Sequence, residues 1–214
     1  MRSIVTVHGL WMGGAAMGVL RRRLEPLGFA VHEFSYPSIT CSLADCTDAL
    51  AEFAERVPGD TVHFVGHSLG GVLTCALLER AMPARIGRVV CLGSPFKGSK
   101  TAARLMRWPG GRHVVGKCLV DVNARGGFGA WRAGVEVGCI AGRLPFGVGR
   151  LVGPFREPND GTVAVDETMI AGLADHIVLP VSHVALLWSA RVAAQEGHFI
   201  ERGRFRHEPT VYPA

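Results

Sequence analysis

Two hydrophobic periods alternate along the chain. Short runs rich in β-branched residues lie near 3–7, 30–35, 61–65, 87–92, 135–141 and 176–180. Between them, apolar residues recur every three or four positions. The alternation predicts an α/β fold of about six mostly parallel strands, covered by helices on both faces. The best-signalled helix follows the second run: Ser42 and Asp45 mark a capped start, Leu43, Cys46, Leu50, Phe53 and Val57 form its stripe, and Pro58-Gly59 ends it. Leu69 to Arg80 is apolar nearly all round, which predicts a helix buried at the centre of the sheet. Near the start, Arg21, Arg22 and Arg23 fall opposite the stripe Met17, Leu20, Leu24 and Leu27 and read as a solvated face.

The alternation breaks between Pro95 and Gly134, where Gly110-Gly111 and Gly126-Gly127 interrupt any strand pattern. A long irregular segment inside a compact domain is usually functional, so 97–134 is a candidate lid or pocket wall. Its Trp108, Phe128 and Trp131 are expected to face the substrate. From Gly197 onward the chain reads as a loosely attached basic tail.

Composition narrows the classes. With 214 residues, 48% hydrophobic and 19% charged, the chain suits a single domain over 1–214 with a substantial core. The net charge of +5 is scattered, which argues against a nucleic-acid partner. No apolar run is long enough to span a membrane and no export signal is visible. The expectation is a soluble, cytoplasmic protein without stable membrane insertion. The six cysteines lack zinc or redox spacing and read as free thiols, with a reducing compartment arguing against a Cys41–Cys46 disulfide. No phosphate loop occurs, and Gly9 to Gly14 does not match a dinucleotide fingerprint. Neither metal nor cofactor is expected, and the pattern carries no signal for oligomeric state.

The chemistry centres on Gly66-His67-Ser68-Leu69-Gly70, which follows a strand run and opens the buried helix. A strand that reverses into a helix within one residue forces that serine into a strained conformation and needs small neighbours, supplied by Gly66, Gly70 and Gly71. At this point the chain resembles the α/β-hydrolase superfamily, in particular its small bacterial lipases and esterases. The resemblance rests on Val7-His8-Gly9-Leu10-Trp11, the Gly66–Gly71 elbow, Leu92-Gly93-Ser94-Pro95, Asn159-Asp160-Gly161-Thr162-Val163 and Ser182-His183-Val184, in that order.

A hydroxyl nucleophile needs a base within reach. Of nine histidines, His183 follows the last strand on the edge that carries Ser68, whereas His176 begins that strand and His198 and His207 lie in the tail. The family order of serine, acid, histidine points to Asp160, since Asn159 and Gly161 make a turn able to aim a carboxylate; Asp166, Glu157 and Asp121 are its rivals. For the oxyanion hole, the N–H of Leu69 should be one donor, and the resemblance implies the N–H of Leu10 as the other. Trp11 and Met12 are candidates to line an acyl pocket. The resemblance implies a serine esterase or lipase working through an acyl-enzyme on a small-molecule or lipid ester. An acyltransferase or thioesterase with the same triad, and a non-catalytic hydrolase-like binding protein, are the alternatives.

Overall fold

The computed structural model of the chain describes residues 2–80, 83–131, 134–147 and 149–207. Six strands, β1 (Arg2–Val7), β2 (Ala30–Phe34), β3 (Thr61–His67), β4 (Ile86–Leu92), β5 (Val137–Gly142) and β6 (Asp175–Leu179), form one sheet in the order β2-β1-β3-β4-β5-β6. Every pairing is parallel. Each strand lies within two residues of its expected bounds.

Successive side chains of a strand point to opposite faces, and a parallel sheet is apolar on both. Phe64, Val89, Cys91 and Cys139 point to one side, where they join the stripes of α2 (Leu43–Arg56), α3 (Leu69–Arg80) and α6 (Lys117–Ala124). Ile4, Val65, Val90 and Ile140 point to the other and pack with α1 (Gly18–Leu24) and α8 (Ala190–Arg202). Ser42 caps α2 as expected, its Oγ accepting from Asp45 N–H at 3.1 Å. The helix α3 follows β3 and is buried along nearly its whole length. Of the first helix stripe, Met17, Leu20 and Leu24 are buried but Leu27 is exposed, because the chain has already tightened into a 3₁₀ turn over Glu25–Leu27.

Because all strands run the same way, the loops after β1, β3, β4, β5 and β6 leave one edge of the sheet. This is where open α/β sheets place their ligands.

Two expectations are corrected. The stretch 97–134 is not irregular: it holds α4 (Lys100–Leu105), α5 (Gly111–Val115) and α6. Nor do its aromatic residues face a substrate, since Phe128 and Trp131 are buried in the main core and Trp108 is exposed on the outside. Residues 197–207 are not a loose tail, because α8 runs to Arg202 and buries Phe199 and Ile200, with Phe205 packed behind them; the rest of that expected tail lies outside the described residues. Backbone and carboxylate hold it there, the Phe205 N–H donating to Asp175 Oδ2 at 2.7 Å. The helix is capped by Ser189, and Val184 and Trp188 stay exposed ahead of it. All six cysteines are free thiols.

Candidate active site

Ser68 sits between the last residue of β3 and the first of α3 with a left-handed backbone, φ +53°. Among the described residues only Trp11, at φ +60°, shares that conformation without being glycine. The turn closes because its neighbours lack side chains: a Cβ on Gly70 would stand 2.1 Å from the Val7 carbonyl oxygen, and one on Gly66 2.4 Å from Gly71 Cα. The Ser68 N–H donates to the Leu92 carbonyl at 2.8 Å, pinning the elbow to β4.

Asp160 is buried in the turn expected of it. Its Oδ1 accepts from the N–H groups of Thr162 (2.9 Å) and Val163 (2.7 Å), and its Oδ2 accepts from His183 Nδ1 at 2.6 Å. The two residues are joined again through the backbone, His183 N–H donating to the Asp160 carbonyl at 2.9 Å. A carboxylate oxygen can only accept, so Nδ1 is the donor in the bond to Oδ2. The rivals are engaged elsewhere: Asp166 and Glu157 both pair with Lys100 Nζ, and Asp121 accepts from the Leu43 N–H at the start of α2.

Ser68 and His183 line one cavity of about 870 Å³ at the carboxyl edge of the sheet, together with Leu10, Leu69, Trp11 and Met12. No hydrogen bond joins Ser68 to His183 among the described residues; such bonds are commonly loose before a substrate arrives. Trp11 is anchored across the fold, its Nε1–H donating to the Val114 carbonyl in α5 at 2.8 Å. The wall of the cavity nearest α4 and α6 includes Ala102, Leu105, Val115 and Leu119.

Three supports were not visible in the sequence. His8 is buried and stacked on Tyr36, with ring centroids 4.4 Å apart, and its Nε2 accepts from the Tyr36 N–H at 3.2 Å. Burial lowers its pKa, keeping it neutral, while the Tyr36 hydroxyl donates to the His8 carbonyl. This braces the loop that carries Leu10. His67, beside the nucleophile, donates through Nε2 to the His183 carbonyl at 3.0 Å. Burial, and the neighbouring His183 after it, push its pKa down to about 3. Glu167 bridges two loops, accepting from the N–H groups of Lys100 (2.5 Å) and Ala164 (2.6 Å). Among the described residues no group of three histidine, cysteine or acidic side chains could hold a metal.

Comparison with known proteins agrees with the geometry at the level of the fold. The family model described as the α/β-hydrolase fold matches residues 24–110. No curated protein matches the sequence. Among solved structures, the chain is similar to the mature Bacillus licheniformis lipase BlEst2, with a TM-score of 0.72 at 17% identity over 94% of this chain and 91% of the other. A metagenomic carboxyl esterase superposes with a TM-score of 0.68 at 20% identity, covering 93% of this chain and 75% of that one. A lipase-esterase related protein from Clostridium acetobutylicum gives 0.62 at 15% identity, covering 93% and 94%.

Proposed function

We propose that this chain, which carries the α/β-hydrolase fold, is a serine hydrolase of carboxylic esters. The observation that carries the reading is the buried 2.6 Å bond from His183 Nδ1 to Asp160 Oδ2, beside a cavity that His183 and Ser68 both line. The bond fixes the imidazole tautomer, so that Nε2 is the free base. Ser68 attacks the ester carbonyl, His183 takes its proton through Nε2, and the buried Asp160 stabilises the imidazolium that forms. The N–H groups of Leu10 and Leu69 receive the developing oxyanion, the latter with the amino end of α3 behind it. His183 then protonates the leaving alcohol, and water releases the acyl group by the same route.

Esterase and lipase names among the structural neighbours support this choice of reaction over others the fold hosts. The test is labelling with a fluorophosphonate together with hydrolysis of p-nitrophenyl butyrate. The wild-type protein should do both, and Ser68→Ala should lose the label and roughly a millionfold in turnover. Labelling at another residue, or a Ser68→Ala protein that keeps its rate, refutes the assignment. An unreactive wild-type protein would instead make this a binding protein on a hydrolase scaffold.

A further inference from the structure

The cavity is large and electrically plain. At about 870 Å³ it lies near the upper end of the roughly 300–1,000 Å³ range that buries a drug-sized ligand. Among the described residues that line it, none is Asp, Glu, Lys or Arg. The hydroxyls on the α4 side are turned to the backbone: Thr101 Oγ1 donates to the Thr162 carbonyl at 2.6 Å, and Ser99 Oγ accepts from the Ala102 N–H at 3.1 Å. What that wall presents to a ligand is hydrocarbon.

The lining is also asymmetric. Leu69, Ala102, Val115 and Leu119 are buried and pack as part of the main core, with Leu105 against them, so this side is continuous with the solid interior. Opposite, Phe146, Leu151 and Trp188 line the same cavity while 76%, 80% and 56% exposed, and form its mouth. An acetyl group would leave most of the inner wall in contact with water. A chain that covers it gains about 0.8 kcal/mol for each methylene buried, or up to about fourfold in rate constant.

We propose that the substrate is an ester of a long, uncharged acyl chain, on the order of eight carbons or more, lying along the wall of Leu69, Ala102, Leu105, Val115 and Leu119 with the alcohol at the mouth. The inference rests on the serine-hydrolase reading for its chemistry but not for its binding.

Two measurements separate them. The first is kcat/KM for p-nitrophenyl esters from two to twelve carbons, each kept below its aggregation limit. The value should rise at least about 100-fold from butyrate to dodecanoate, while an octanoate carrying a terminal carboxylate should lose about 100-fold against octanoate itself. Leu105→Trp, which fills the wall, should lower the dodecanoate-to-butyrate ratio at least about tenfold. A flat or falling chain-length profile, or an unpenalised terminal carboxylate, overturns the proposal while leaving the serine-hydrolase reading intact.

The second measurement needs no nucleophile. Calorimetry with Ser68→Ala should show 1-decanol binding at least about 100-fold more tightly than 1-butanol, and Leu105→Trp in that background should weaken decanol selectively. Equal affinities overturn the proposal even if no ester is ever turned over. If Leu105→Trp does not fold, as judged by circular dichroism, the decanol-to-butanol comparison on Ser68→Ala alone decides.

Discussion

Asp160 uses both carboxylate oxygens, and the way it does so dictates what a single atom change will do. Oδ1 is held by two backbone N–H donors, so only an oxygen can occupy that position. In Asp160→Asn the amide nitrogen is then forced toward His183 Nδ1, which must become an acceptor and move its proton to Nε2. The base is lost with the geometry kept. The expected outcome is a fall in kcat/KM approaching ~10⁴-fold with little change in thermal stability. A variant retaining a tenth of the wild-type rate would show that another acid serves. The places of Ser68, Asp160 and His183 in the fold could be read in the sequence because each stands in a local signature: a glycine elbow, an Asn-Asp-Gly turn, and a strand end. His67, His8 and Glu167 could not. Their bonds reach the backbone of His183, Tyr36 and Lys100, 116, 28 and 67 positions away, and no short pattern records such a distance.

At the scale of elements, α4 is attached to the turn that carries Asp160. Glu167 accepts from the first N–H of α4 and from Ala164, Thr101 donates to Thr162, and Lys100 pairs with Glu157 and Asp166. The Lys100 pairs are solvent-exposed and contribute little. Glu167 is buried, so Glu167→Ala leaves two N–H groups without an acceptor, at about 1–3 kcal/mol each. The midpoint of chemical denaturation should fall accordingly, and Glu167→Gln, which keeps one acceptor, should fall less. Equal loss in the two variants would mean that the bridge does not act through its oxygens. The strands were legible because a buried parallel strand is a short run of β-branched residues bounded by turns. The helices α4 and α5 were not, being six and five residues long, too short to show a full stripe. In α8 the stripe through Val192, Ala193, Phe199 and Ile200 is broken by Glu196 and Gly197, and the break reads as an end.

That same Glu196 sets how the whole molecule responds to pH. It is fully buried, neither carboxylate oxygen has a partner among the described residues, and burial raises its pKa to about 8. Between its ordinary value of 4.5 and about 8, the unfolded chain is ionised and the folded chain is not. Stability therefore falls as pH rises through that window, by roughly 1.4 kcal/mol per pH unit. Histidines act in the opposite sense. Burial lowers His67 to about 3 and His63 to about 4, so below 6.5 the unfolded chain takes up protons that the folded chain refuses, and stability falls as pH drops. Two histidines outweigh one carboxyl below 6.5, and only the carboxyl acts between 6.5 and 8. Thermal stability should peak at about pH 6.5 and decline on both sides. Glu196→Met removes the carboxyl's contribution across its whole window: its Tm should hold level from about pH 7 to 8, and it should fall more steeply than the wild type's as pH drops from 6.5 to 4.5, where the carboxyl no longer offsets the histidines. A wild-type Tm that stays level from pH 6.5 to 8 would mean that Glu196 is ionised in the folded protein, and that the space around it admits water or a cation to meet the charge.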